Sequence, residues 1–267
     1  MAEVQVMKIS RTIVSVTLVL CIGGTSAIAQ SQDLQSVLRR LAGLEEAMRS
    51  VQRQLEDLIA LSRNSRDARL SSPVEDVPPF VVNVTGAAAI GSPDAKTAVI
   101  EYSDFQCPFC GAYAKQAYRE LQRQFVSTGK VIYFFRNFPL EDIHPQALKA
   151  AEAAECVRES GRFWDMHDRL FTNQGALALS DLTAHARALG VEMSPFQACL
   201  TEGQTTAKVR AEQAEARRLG IAGTPTFLLG RIESGGRVRV TRKIVGSQPI
   251  EIFGAALQTM LPTNGPK

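Results

Sequence analysis

Cys107-Pro108-Phe109-Cys110 places two cysteines two residues apart where the flanking residues predict a strand running straight into a helix. Val99, Ile100 and Tyr102 are strand formers ahead of the motif. After it Tyr113, Ala117, Leu121 and Phe125 recur at helical spacing, which predicts a helix over roughly 108–127. With Cys107 at the helix start, Cys110 lies about one turn on, within a disulfide's reach. Cys107 then faces unpaired backbone N–H groups and the positive end of the helix dipole, and both favour a thiolate. Pro108 suits the first helical position, where a missing N–H costs nothing. The pattern points to dithiol–disulfide chemistry. A zinc site would need further thiolates, and the chain has no second CxxC, so no metal is expected.

The N-terminus reads as an export signal. Lys8 and Arg11 precede an apolar run from Ile13 to Ile22, and Ala27-Ile28-Ala29 follows as a cleavage pattern. The run is too short to span a bilayer comfortably. Residues 1–29 are therefore expected to be removed after Ala29, placing the chain in the periplasm. Cys21 leaves with them, and four of the five cysteines remain: Cys107, Cys110, Cys156 and Cys199. An even count in an oxidising compartment is consistent with two disulfides. The formal charge is +3, with no basic cluster or aromatic–basic interleaving to suggest nucleic acid.

Residues 30–62 carry a heptad pattern. Leu34, Leu41, Met48 and Leu55 fall on a positions, and Val37, Leu44, Val51 and Leu58 on d positions, with Arg, Glu and Gln between. Such a stripe needs a partner. Self-association through residues 34–62 is the expectation, and packing on the chain's own globular domain is the alternative. Residues 63–79 are polar and proline-bearing and read as a linker.

The remainder, 80–267, reads as one mixed α/β domain. Strands are expected at Phe80–Thr85, Thr97–Tyr102 and Val131–Phe135, with Gly86–Pro93 as a turn-rich approach. A helical block follows over about 143–218. Strands return at Thr226–Leu229 and Arg237–Val245, and a helix closes over Pro249–Leu261. The charged stretch Thr205–Arg218 reads as a solvated face. His144, His167 and His185 read as structural, and Phe163, Trp164 and Phe171 as core.

Cys107-Pro-Phe-Cys110 after a strand, the helical block, and Gly223-Thr224-Pro225-Thr226 before a strand together resemble the thioredoxin fold, and specifically the exported bacterial DsbA-like thiol–disulfide oxidoreductases. The resemblance covers about residues 80–262. It implies a thioredoxin-like fold with an inserted helical subdomain, here preceded by a coiled-coil helix. It implies that Cys107 is the exposed nucleophile, Cys110 the more buried resolving thiol, and Thr224-Pro225 a cis-proline loop facing them, beside which an extended substrate segment could pair. It places the acid Glu101 beneath the disulfide as a proton relay, with Asp104 as the competing acid. Pro108 and Phe109 are expected to adjoin substrate. Phe109 brings no charge or hydrogen bond, so a less extreme oxidant is expected than a relative with histidine there. Cys156 and Cys199 are expected to form a structural disulfide, with two inert thiols as the alternative.

No cofactor is implied beyond the redox-active Cys107–Cys110 disulfide. The partners implied are cysteine-containing exported proteins and a membrane redox partner that resets the site. The direction of exchange stays open, and an oligomeric isomerase or reductase built on the stalk-like heptad is the runner-up to a generic oxidase. A non-enzymatic chaperone or thiol-based metal carrier is the competing class.

Overall fold

A computed structural model describes residues 37, 39–59 and 73–261 of the chain. The expected signal peptide, its cleavage site, Leu34 and most of the expected linker lie outside the described residues. The chain divides into two units between Ala68 and Arg69.

In the first unit, residues 39–59 form helix α1. Leucine, arginine, glutamate and glutamine dominate it, and Gly43 is its one weak helix former. The heptad residues Leu41, Leu44, Met48, Val51, Leu55 and Leu58 are between 51% and 70% exposed.

The second unit is built on a six-stranded sheet: β1 (Val74–Asn83), β2 (Ala88–Ile90), β3 (Thr97–Ser103), β4 (Val131–Asn137), β5 (Thr226–Glu233) and β6 (Arg237–Val245), in the order β1-β6-β5-β3-β4-β2. β3 is central and every residue of it is buried, as its apolar composition demands. It runs parallel to β4 and antiparallel to β5. The crossover from β3 to β4 carries α2 (Pro108–Lys115), α3 (Ala117–Leu121) and a π turn at Gln122–Val126. The insertion holds α4 (Ala147–Cys156), α5 (Phe163–Thr172), α6 (Leu179–Ala188), α7 (Met193–Glu202) and α8 (Thr206–Arg218), and α9 (Ile250–Gln258) closes the chain. This is the thioredoxin-like layout with a helical insertion that the resemblance implies.

The sheet separates two cores. Alternate residues of β3 project to opposite faces. Val99 joins Tyr113, Tyr118, Leu121, Phe227 and Phe253 under α2, α3 and α9. Ala98, Ile100 and Tyr102 join Phe134, Leu228 and Val240 near α8. A third cluster packs Phe105, Cys107 and Cys110 against Met166, Leu170 and Phe171 of the insertion.

Four expectations need correction. The first strand begins at Val74, inside the expected linker 63–79. Pro78 and Pro79 are tolerated because β1 is an edge strand, and its register breaks between Asp76 and Phe80, where they sit. The expected turn at Gly86–Pro93 contains β2, too short at three residues to show a period. The expected helix over 108–127 is broken at Gln116, whose φ of −120° and ψ of −83° separate α2 from α3. Finally, α8 is not simply a solvated face. Glu212 and Gln213 are buried, and Glu212 accepts hydrogen bonds from Arg136 Nη1 (3.0 Å), the Asn137 N–H (2.9 Å) and Asn137 Nδ2 (2.7 Å) at the end of β4.

Candidate active site

The site is built where β3 gives way to α2. Cys107 is the helix N-cap in extended conformation, and Pro108 follows at the first helical position. The turn between strand and helix is held from three sides. Asp104, 1% exposed, accepts hydrogen bonds from the N–H groups of Gln106 (2.7 Å) and Leu140 (2.8 Å) and lies 2.9 Å from His144 Nδ1. Gln106 Oε1 accepts from the N–H of Gln146 (2.7 Å). Gln174, in the loop after α5, donates from Nε2 to the carbonyls of Phe105 (2.9 Å) and Cys107 (2.8 Å). Its amide occupies the space that a Cβ on Gly111 would take. Apart from the Asp104–Gln106 turn, these clamps have no local signal, because each joins residues 36 or more apart.

The chain brings Thr224-Pro225 to the same place. The Thr224–Pro225 peptide bond is cis. Cys107 Sγ donates to the Thr224 carbonyl at 3.4 Å, and Pro225 O is held by the N–H of Gly246 at 2.8 Å. Cys107 and Cys110 are both free thiols. The expectation of an exposed Cys107 is corrected: it is 3% exposed, because the Thr224 carbonyl lies against its sulfur. Pro108 and Phe109 are the exposed residues of the motif, Phe109 at 65%.

The two sulfurs differ in acidity. The hydrogen bond from the Cys110 thiol lowers the Cys107 pKa, working against burial. The Thr224 side chain and the N–H groups of Cys110 and Phe109 add to it, and the result is about 6. Cys110 is raised well above the ordinary thiol range, first by burial, then by its hydrogen bond to Cys107 and by the negative charges of Cys107 and Glu101. Such a pair presents one thiolate and one stored thiol at neutral pH.

Glu101 lies beneath them, 1% exposed, with Phe135 and Phe227 as its register partners on the flanking strands. Tyr133 donates its hydroxyl to Glu101 Oε2 at 2.5 Å, and the Tyr113 hydroxyl is 3.1 Å from that of Tyr133. Burial raises the Glu101 pKa, and a positive charge on His167, the Tyr133 hydroxyl and the nearby Ser103 hydroxyl offset part of the rise. Tyr133 could have been found in the sequence, since it shares Glu101's face on the adjacent strand.

The other expected residues lie elsewhere. Cys156 and Cys199 are joined by a disulfide linking α4 to α7. His185 is buried, accepting from Arg169 Nε at 3.0 Å, so its helix face is not open to solvent. His144 holds the loop before Cys107 through Asp104, and His167 lies buried among aromatic rings.

Comparison with known proteins follows the same lines. The family model described as "Thioredoxin" matches residues 63–238. The Wolbachia pipientis alpha-DsbA1 crystal structure is 24% identical, with a TM-score of 0.56, covering 65% of this chain and 90% of that one. Oxidised BdbD from Bacillus subtilis is 20% identical, with a TM-score of 0.57, covering 69% and 98%. Among curated proteins, Na(+)/H(+) antiporter NhaA 1 of Salinispora arenicola is 36% identical over 167 residues, or 62% of this chain and 24% of that protein. The chain thus spans about a quarter of that relative's length, which carries a shared domain and not the whole protein's activity. The family model covers about two thirds of the chain, residues 63–238, and the chain belongs to the thioredoxin family.

Proposed function

We propose that this protein is a periplasmic thiol–disulfide oxidoreductase that exchanges disulfides with cysteine-containing exported polypeptides. The observation that carries this reading is the Cys107 thiol, lowered to about 6 and set 3.4 Å from the Thr224 carbonyl. In the oxidised protein, a substrate thiolate attacks Cys107 Sγ. The Cys107–Cys110 bond breaks, and its electron pair leaves on Cys110 as a thiolate, which Glu101 protonates. A second substrate thiolate then attacks the substrate sulfur of the mixed disulfide and displaces the Cys107 thiolate. The substrate gains one disulfide, and the protein holds two more electrons as a thiolate–thiol pair. A membrane redox partner resets the site by taking those two electrons, while the Cys110 proton returns to Glu101. Pro108 and Phe109 form the exposed lip over which the substrate segment lies, beside Thr224 and Pro225.

The exposed apolar stripe of α1 supports a second reading in which several copies associate through residues 34–62 and act as an isomerase or reductase. Two experiments separate the readings. Oxidation of a reduced dithiol peptide is expected from the wild-type chain and not from Cys107→Ser. Activity surviving that change would leave a chaperone or metal carrier. Refolding of a scrambled multi-disulfide protein, with and without residues 30–62, alongside solution mass, tests the stalk. A monomer with equal isomerase activity in both forms removes it.

A further inference from the structure

His167 is remote from the cysteines in sequence, yet its ring enters the same buried layer. It sits on α5, 1% exposed, within five aromatic rings: Phe171 (4.9 Å between centroids), Trp164 (5.1 Å), Tyr118 (5.2 Å), Phe135 (5.2 Å) and Phe105 (6.0 Å). Two of these rings border Glu101. Phe135 is its register partner, and Tyr118 packs at 5.2 Å on Tyr133, which holds Glu101 Oε2. A phenylalanine would fill an aromatic box without the cost of burying polar nitrogens. The imidazole faces two ways. Nδ1 lies 2.8 Å from Oδ1 of Asp168, whose side chain is 63% exposed. Nε2 is buried and has no hydrogen-bond partner among the described residues, and the same is true of Glu101 Oε1 and Ser103 Oγ. Three polar atoms without partners thus lie on one face of β3, below the cysteines.

We propose that His167 is a relay residue on a proton path that runs from Cys110 through Glu101 to His167 and out to solvent at Asp168. The proposal rests on the exchange chemistry proposed above. When the reduced pair is reoxidised, Cys110 gives up its proton to Glu101. Glu101 passes a proton from Oε1 to the Nε2 lone pair, directly or across one bridging water. The imidazolium then releases its Nδ1 proton to Asp168 and solvent, which leaves the Nε2–H tautomer. When substrate is oxidised, Cys110 leaves as a thiolate and the sequence reverses: Nε2–H serves Glu101, and Nδ1 takes a proton from the Asp168 side. The two half-reactions alternate, so each restores the tautomer the other needs. The transient imidazolium faces the Asp168 carboxylate and the surrounding ring faces. The groups that share this layer are Cys110 on α2, Tyr118 on α3, Glu101 on β3, Tyr133 on β4 and Asp168 on α5 itself. A positive charge on His167 lowers the Glu101 pKa against the rise due to burial, so the transient imidazolium favours the Glu101 carboxylate.

The test is rapid kinetics of both half-reactions with a dithiol peptide, in water and deuterium oxide, for the full chain, His167→Phe and Asp168→Asn. Alkylation of Cys107 is the internal reference, since that step moves no proton at Cys110. His167→Phe is expected to slow the Cys110-dependent steps on the order of tenfold near neutral pH and to enlarge their solvent isotope effect. Asp168→Asn, at an exposed position, is expected to slow the same steps less and to shift their pH profile. A structural role for His167 would lower the unfolding midpoint and leave these ratios alone. Folded variants whose Cys110-dependent steps stay within about twofold of wild type overturn the path. If His167→Phe does not fold, Asp168→Asn decides alone. A wild-type chain that exchanges no disulfides fails the exchange reading itself, a result distinct from failure of the relay.

Discussion

At Cys107, burial and hydrogen bonding pull in opposite directions, and hydrogen bonding wins. Below about 6 the sulfur is a thiol and inert, and above it a thiolate. Alkylation of the reduced protein is therefore expected to reach half its plateau near pH 6. A midpoint near the ordinary 9.0 removes the argument, and one near about 3.5 would contradict the moderate acidity expected with Phe109 in the motif. A depressed folded-state pKa also stabilises the reduced fold. The contribution is complete above the unfolded value of 9.0 and is lost as pH falls through about 6. The gap in urea midpoint between reduced and oxidised protein is thus expected to move in favour of the reduced form between those values. Glu101→Gln keeps the shape and removes the relay proton. It should slow the Cys110-dependent steps on the order of a hundredfold in single-turnover measurements, with Cys107 alkylation still observed. Glu101 was legible because it sits six residues before the motif on the feeding strand. Gln174 was not, since its partners are backbone groups brought close only by the fold, and Asp104, named as a competing acid, proved instead to hold the turn. Nor was the burial of Cys107, which depends on where residue 224 arrives.

Among the elements, the periodic ones were the legible ones. Largely apolar runs located β3 and β4, an alternating pattern located β6, and the heptad located α1. Pattern failed where an element answers to a neighbour and not to solvent. α8 is charge-rich in sequence, yet Glu212 faces β4 and meets Arg136 and Asn137, 76 and 75 residues away. Lys208 adds a further charge at the same place, bonding Glu155 Oε1 at 2.9 Å and also Glu212. Removing one member of a buried charged set leaves the others unpaired. Glu212→Ala is therefore expected to cost about 3–5 kcal/mol in urea unfolding, and a loss below about 1 kcal/mol would show the network to be solvated. The break at Gln116 falls without proline or glycine, so no local rule foretold it.

At the scale of the whole molecule, the insertion belongs to the site as much as to the core. It sends Gln174 to the cysteine turn and is itself stapled by Cys156–Cys199, which closes a separation of 43 residues. In the chain-entropy picture a loop of that size is worth about 4 kcal/mol. Cys156→Ser with Cys199→Ser is expected to lose up to that amount in denaturant unfolding while the pH midpoint of Cys107 alkylation stays in place. A shifted midpoint would mean that the staple also shapes the site. The broken register of β1 has a different consequence. A protein proposed to meet unfinished chains risks being zipped into them, because any open sheet border can template a foreign strand. On one border Pro78 and Pro79 interrupt the row of donors, and on the other β2 offers three residues, with Ala89's carbonyl taken by Trp164. Both borders of the sheet thus resist strand addition, which suits the proposed exchange with unfinished chains.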